Sequence, residues 1–422
     1  MPDRHLPVRP NLEQLKHQAK DLLRELRRGD PAAIEDFRKY HPEAIEPAGA
    51  KLADAQLVLA RSYQSPNWPR LVLACHLIEA IWHDDVDAVR QIVLKYPQIV
   101  HENALVRKSN WGPPMSYAAN LGRDRIIELL HSAGARDHQH AFGRAALQSK
   151  IETARKLHAM MGPAKLTAGE LGGPAYTLSA SGTALLFELG VKVHDETGGR
   201  AAPVQVVLET DSRKPIEKHQ ILEMYVKHGL MLPDTPPMAV HRGRIDLLEE
   251  HLRLDPGLLR RTFTFEEVYP PELGCHEDPQ PTHGTPLAGA TLLHMCVDYD
   301  EMEIALWLLE KGMNVDARAA VDPDGFGGHT ALFATVVSQP NFWMNRQNRP
   351  KVAPFTQLLL DHGADPNARA SLRKQLHPGY GEDEVMREYR DVTPLGWGER
   401  FHKKDFVSEP AMKLLAQRGG HT

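Results

Sequence analysis

Cysteine is scarce in this sequence: only three cysteines occur in 422 residues, at positions 75, 275 and 296. An odd and small number of cysteines in a long chain argues against a disulfide framework and favours a reducing compartment. We therefore predict a cytoplasmic location.

Long apolar runs and a dominant charge are also missing. No uninterrupted run of about 18 apolar residues occurs, and the start MPDRHLPVRP lacks the apolar core of a signal peptide. We therefore expect neither export nor a membrane span. Lys and Arg number 50 against 55 Asp and Glu, giving a formal net charge of −5 without a long block of one sign. This balance predicts neither a nucleic-acid partner nor an anionic membrane partner.

The chain does contain a repeated pattern, which is clearest in two copies. The first is Thr291–Ala319, and the second is His329–Ser338 with its continuation Phe355–Ala370. Each copy has a short stretch of small apolar residues, a polar turn and a longer amphipathic helix. In the first copy Leu308 lies on the apolar face and Gly312 stands where a helix ends in a left-handed residue, a place that Gly363 takes in the second copy. Weaker copies cover Pro113–Asp137, Ala202–Gly229, Thr235–Leu252 and Thr393–Gly420.

The tetrapeptides TLLH (Thr291–His294) and TPLG (Thr393–Gly396), with HGADPNARA (His362–Ala370), resemble the ankyrin repeat family. The family has a period of about 33 residues. The resemblance implies an all-α fold: an ankyrin-type helical solenoid of roughly eight or nine repeats, the first beginning near His76. It also implies that His294 makes a hydrogen bond between neighbouring repeats.

The N-terminal segment differs from the repeats. Residues 11–29 form an amphipathic pattern, and Asp30 followed by Pro31 is typical of a second helix start. A solenoid needs a cap over its first apolar face. We therefore predict a helical cap over residues 1–75 and a repeat solenoid over residues 76–422.

Three insertions interrupt the solenoid, near residues 256–290, 339–352 and 371–391. The resemblance implies that connections between units form projecting hairpins beside the concave surface. It therefore assigns Phe263–Thr285 and Ser371–Asp391 to that side and Gln339–Val352 to a more distant place. Aromatic and arginine residues are enriched at binding hot spots. The predicted binding residues are Tyr269, His276, Glu277, His283, Trp343, Arg346, Arg373, His377, Tyr380, Arg387, Tyr389 and Arg390.

The sequence favours a metal site or a catalytic site less than a binding surface. Cys275, His276 and His283 could supply zinc ligands, but no paired ligand motif accompanies them, and we predict no metal and no cofactor. His276, Glu277, His283, Asp298 and His329 could assemble an acid/base site only if the loop folds back. Cys296 and Trp397 are more simply residues of the core.

Two function hypotheses remain open. The first is a scaffold that binds a protein or peptide in the concave groove and through the inserts. The alternative is a small-molecule binder or an enzyme of hydrolase or lyase type, with a pocket closed by residues 263–285 and 371–391. That alternative requires His276, His283 or His377 to approach an acid or a basic partner across a cavity.

Overall fold

The computed structural model describes residues 4–162, 166–210, 212–276, 284–346, 351–376 and 385–422. They form two compact units, Met1–Lys165 and Leu166–Thr422. Both units are mostly helical, which confirms the predicted fold class.

The first unit contains nine α-helices in its described part. They are α1 Leu12–Arg27, α2 Pro31–Tyr40, α3 Leu52–Ser62, α4 Trp68–Trp82, α5 Val86–Lys95, α6 Pro114–Leu121, α7 Asp124–Ser132, α8 His138–Leu147 and α9 Ile151–Met161. Short 3₁₀ turns lie at Pro47–Gly49 and Pro97–His101.

The second unit contains fourteen α-helices and two strands in its described part. The helices are α10 Gly172–Thr177, α11 Ala180–Glu188, α12 Val204–Glu209, α13 Pro215–Lys227, α14 Pro236–His241, α15 Ile245–Leu254, α16 Phe265–Val268, α17 Leu292–Tyr299, α18 Met302–Glu310, α19 Ala331–Val336, α20 Gln339–Arg346, α21 Pro354–Asp361, α22 Pro394–Arg400 and α23 Glu409–Gln417. The strands are β1 Ala370–Lys374 and β2 Arg387–Val392.

Within the described residues, nine helix pairs follow the pattern of the sequence. They are α4/α5, α6/α7 and α8/α9 in the first unit, and α10/α11, α12/α13, α14/α15, α17/α18, α19/α21 and α22/α23 in the second. Within the second unit, the first helices α14, α17, α19 and α22 pack successively against one another. All eight residues of α17 are buried, because a short apolar helix between two neighbours has no solvent face.

The ends of the helices follow the predicted chemistry. At the end of α18, Gly312 has φ +90°, and its N–H donates to the Leu309 carbonyl at 3.0 Å. The Met313 N–H donates to the Leu308 carbonyl at 3.0 Å. The left-handed conformation is easy for glycine, so this position ends the helix and satisfies its last carbonyls.

Asp30 caps α2 as the sequence predicts. Its Oδ1 accepts hydrogen bonds from the N–H groups of Ala32 at 2.9 Å and Ala33 at 3.0 Å. We expect Asp30→Ala to lower the free energy of unfolding of the first unit by about 1 kcal/mol, because both amides lose their acceptor. Chemical denaturation followed by circular dichroism measures the loss. Asp30→Asn keeps a capping oxygen and should stay within a few tenths of a kcal/mol of the wild type; equal losses in the two variants would contradict the capping role.

Candidate functional site

Successive connections of the second unit are joined by backbone hydrogen bonds into one hairpin ribbon. We define the hairpin ribbon as Phe263, Leu287–Ala290, Arg318–Val321, Gly327–Thr330, β1 and β2. The Phe263 N–H donates to the Ala290 carbonyl at 2.8 Å, and the Ala320 N–H donates to the Gly289 carbonyl at 2.8 Å. The Gly327 N–H donates to the Ser371 carbonyl at 2.7 Å, and β1 pairs with β2 in an antiparallel arrangement. The ribbon therefore runs continuously along one edge of four helix pairs.

Gly327 is a position where the ribbon requires glycine. Its φ is +120°, and a Cβ there would lie 2.0 Å from the Ala320 carbonyl oxygen. No other residue type fits so close a backbone approach.

Arg373 lies on the ribbon and is held by two carboxylates. Its guanidinium donates to Asp324 Oδ2 and to Asp322 Oδ2, both at 2.8 Å. The Arg373 Cζ also lies 5.1 Å from the centroid of the Phe326 ring. These contacts fix the orientation of a half-buried cation on the ribbon.

Arg390 contacts the same ring. Its Cζ lies 4.4 Å from the centroid of Phe326, and its guanidinium donates to Glu388 Oε2 at 2.9 Å. The side chain of Arg390 is 60% exposed, so it offers an ordered guanidinium to solvent. Arg387, also predicted to bind, begins β2 and is half-buried.

Tyr389 was predicted to bind a partner, but the structure buries it. Its ring packs edge-to-face against Trp397 at 4.7 Å between centroids and stacks on Phe401 at 6.0 Å. The Tyr389 hydroxyl lies 2.7 Å from His402 Nδ1. Alternation along β2 turns this side chain inward, and Tyr389 therefore anchors the ribbon to α22 instead of presenting a contact surface.

The first insert departs from the projecting hairpin that was predicted. After Phe263, the chain forms α16 and a 3₁₀ turn at Pro271–Leu273. Phe265, Val268 and Leu273 are buried. These apolar side chains pack the insert onto the unit, because their exposure would cost hydrophobic free energy.

Tyr269 lies in this insert and is completely buried, which corrects its prediction as a surface contact. Its hydroxyl forms a hydrogen bond with the Tyr299 hydroxyl. Tyr299 donates to the Leu208 carbonyl at 3.1 Å, so Tyr269 is the donor in the bond between the two tyrosines.

A buried lysine lies beside this tyrosine pair. Lys218, on α13, is 3% exposed. Its Nζ lies 2.7 Å from His241 Nδ1 and 3.6 Å from the centroid of the Tyr299 ring. Burial lowers the pKa of Lys218 to about 7, since the charged form loses its hydration. His241 is itself fully buried and contacts the Val268 carbonyl oxygen through Nε2 at 2.8 Å.

A buried ion pair lies beside the same lysine and tyrosine side chains. Arg213 donates to Asp298 Oδ2 at 3.0 Å and to the Asp298 carbonyl at 2.7 Å. The two charged side chains are 2% and 1% exposed. The Arg213 Cζ also lies 4.7 Å from the centroid of the Tyr299 ring. We call Arg213, Lys218, His241, Asp298 and Tyr299 the buried polar cluster.

Sequence reasoning missed most of the buried polar cluster. One indication was present: Lys218 shares a helical face with Ile221, Leu222 and Tyr225, which are all buried. A charged residue at an apolar position of an amphipathic helix predicts a buried polar contact.

His276 contacts an acid at an exposed position. Its Nδ1 lies 2.7 Å from Glu209 Oε2, and its side chain is 77% exposed. The neighbouring Cys275 is buried, and burial raises the pKa of its thiol to about 12. The thiol therefore stays protonated at neutral pH. Among the described residues, no three His, Cys, Asp or Glu side chains group as metal ligands.

His294 has the structural role that the resemblance implies. Its Nδ1 lies 2.8 Å from Thr291 Oγ1, and its Nε2 donates to the His329 carbonyl at 3.1 Å. Burial lowers the pKa of His294 to about 4 and that of His329 to about 3. Both rings are neutral at physiological pH. His329 donates from Nε2 to the Pro286 carbonyl at 3.1 Å.

The insert within the α19/α21 pair folds into α20, which includes the backbone of Trp343. Arg346 at its end donates from Nε to Asp405 Oδ2 at 3.1 Å. Phe342 stacks on Phe406 with 4.6 Å between ring centroids. The insert thus packs against the last helix pair.

The predicted binding residues Glu277, His283, His377 and Tyr380 lie outside the described residues.

Comparison with known proteins gives one family match. Residues 288–320 match the model of the ankyrin repeat. No curated protein matches the chain. Among solved structures, the crystal structure of the human ASB11 ankyrin repeat domain is similar at 16% identity, covering 73% of this chain and 99% of that one, with a TM-score of 0.25. Within the part of the chain that the structure describes, no helix is long and apolar enough to cross a membrane.

Proposed function

Because the chain carries an ankyrin repeat at residues 288–320 and is an ankyrin repeat protein, we propose that it binds a protein or peptide through the hairpin ribbon. Stacked repeats present extended surfaces that serve as binding scaffolds. We further propose a cytoplasmic location, which three unpaired cysteines favour.

The observation that carries the proposal is the exposed Arg390 guanidinium, ordered by Phe326 and Glu388. A side chain that is already fixed loses little conformational entropy when it binds. Arginine is also among the residues that dominate binding energy at interfaces. Arg373 and Arg387 lie on neighbouring positions of the same ribbon, so a bound segment can contact several guanidinium groups.

A peptide-display selection tests this function. The full chain is panned against a random peptide library, and dissociation constants of the enriched peptides are measured by fluorescence anisotropy. We expect Arg390→Ala to weaken binding at least tenfold, which corresponds to about 1.4 kcal/mol. Binding in this assay needs no cofactor.

Arg253→Ala is the matched control. Arg253 is also exposed and also paired with a nearby glutamate, Glu250, but it lies on α15 and outside the ribbon. Its removal should leave affinity unchanged. Equal losses in the two variants, or no enriched peptide at all, would overturn the proposal. The small-molecule or acid/base alternative stays a prediction.

A further inference from the structure

Two adjacent insert residues are held to the repeat helices by hydrogen-bond chains. The carbonyl of Val268 can only accept, so His241 donates to it from Nε2 at 2.8 Å. In the neutral ring His241 Nδ1 then carries the lone pair, and Lys218 Nζ donates to it at 2.7 Å. The first chain therefore runs from Lys218 through His241 to the insert backbone.

The second chain ends one residue further along. Tyr269 donates to Tyr299, which donates to the Leu208 carbonyl. The Lys218 amine lies against the Tyr299 ring. Both hydrogen-bond chains therefore pass beside Lys218. The groups that hold the insert at Val268 and Tyr269 surround this single buried amine.

Charged and titratable groups face Lys218 from every neighbouring element. They are Arg213 before α13, His241 on α14, Asp298 and Tyr299 on α17, Glu301 at the start of α18, and Tyr269 and Cys275 in the insert, with Lys374 of β1 facing Asp298. The two nearest carboxylates already have partners: Arg213 donates to Asp298 Oδ2 at 3.0 Å, and His219 Nε2 lies 2.8 Å from Glu301 Oε1. Among the described residues, no carboxylate forms an ion pair with Lys218.

Protonation of this amine places a charge where water is excluded. The pKa of Lys218 falls from its ordinary value near 10.5 to about 7, mainly because of burial. A form in which water reaches the amine restores the ordinary pKa. The buried form therefore binds fewer protons than the hydrated form throughout the range between these two values.

We propose that the insert, residues 263–276, is a proton-linked latch: it lies closed over the buried polar cluster while Lys218 is neutral and opens with uptake of one proton by Lys218. Opening breaks the bonds to the Val268 carbonyl and Tyr269 hydroxyl and admits water to the amine. The inference goes beyond the proposed function and does not depend on it.

The direction of the pH effect follows from linkage. Because the open form takes up one proton, its population relative to the closed form rises about tenfold for each unit by which the pH falls between about 10 and 7. Below pH 7 both forms hold the proton, and the ratio becomes constant.

Hydrogen exchange with mass spectrometry measures this opening in the full-length protein. Peptides covering residues 263–276 are followed from pH 6 to 9.5, and rates are corrected for the intrinsic pH dependence of amide exchange. We expect the opening constant to rise about fiftyfold from pH 9 to pH 7. Peptides from α6, in the first unit, should show no such dependence.

Two variants test the assignment to Lys218. Lys218→Met should abolish the pH dependence of the insert. Lys218→Arg, which is charged at every pH used, should also give a flat profile, but at the high opening constant that the wild type reaches below pH 7. Lys156→Met, at an exposed ion pair on α9, should retain the wild-type slope. If the opening constant of the wild-type insert does not change with pH, the latch is overturned, whether or not Lys218→Met folds. The latch is also overturned if the wild type and Lys218→Met show the same pH dependence. A protein that shows the slope but binds no peptide refutes the proposed function alone.

Discussion

Substitution of Arg213 by methionine should lower the free energy of unfolding of the second unit by about 3–5 kcal/mol, because it removes the guanidinium that is hydrogen-bonded to the buried Asp298 carboxylate. Arg213 donates to both the side chain and the backbone of Asp298, and both side chains are almost fully buried. Urea denaturation followed by circular dichroism measures the change.

The same variant should acquire a characteristic pH dependence. Burial raises the pKa of Asp298, and Arg213 opposes that rise. Without Arg213 the folded-state pKa lies further above the unfolded value, so the variant regains stability as the pH falls and the carboxyl is protonated. The difference in free energy of unfolding between the variant and the wild type should therefore become smaller as the pH falls from 7 to 5.

The exposed pair formed by Arg253 and Glu250 provides the control. Arg253→Met should leave the urea midpoint of the second unit unchanged, since exposed ion pairs contribute little. A loss below about 1 kcal/mol for Arg213→Met would refute the view that the buried ion pair holds this cluster together.

Truncation of Trp397 to alanine should also cost about 3–5 kcal/mol, since it leaves a cavity among packed aromatic rings. Trp397 is 0% exposed. It contacts Tyr389 and Phe401 edge-to-face at 4.7 and 4.8 Å. Its Nε1 donates to Thr285 Oγ1 at 3.1 Å.

Urea denaturation followed by circular dichroism again measures the loss of stability. The variant Trp397→Phe separates the contribution of ring packing from that of the hydrogen bond. Phenylalanine keeps most of the ring packing but cannot donate to Thr285, so it should lose clearly less stability than alanine. Hydrogen exchange of β2 should accelerate in Trp397→Ala, because Tyr389 loses the ring that it packs against. Unchanged protection of β2 would show that Tyr389 does not anchor the ribbon through Trp397.

The helix pairs could be predicted from sequence because their determinants are local. Gly312 ends α18 and Asp30 caps α2 through contacts within a few residues. The burial of Trp397 and Cys296 and the role of His294 also follow the prediction. In each case the position within a repeated pattern specifies the environment of the side chain.

The inserts could not be predicted in the same way because their contacts are distant in sequence. Tyr269 meets Tyr299 thirty residues away, and Arg213 meets Asp298 eighty-five residues away. Aromatic residues in a long polar loop suggested exposed anchors, but Tyr269 and Tyr389 are buried. Tyrosine serves either purpose, since its ring is apolar and its hydroxyl needs only one partner.

The hairpin ribbon has a consequence for the folding of the second unit. In a solenoid each repeat normally interacts with its immediate neighbours alone, so stability is a sum of local and nearest-neighbour energies. The bonds from Ala320 to Gly289 and from Gly327 to Ser371 add backbone coupling between successive connections of this unit. Stronger coupling between neighbours makes partly unfolded arrays rarer. The four helix pairs from α14 to α23 should therefore melt as one cooperative block.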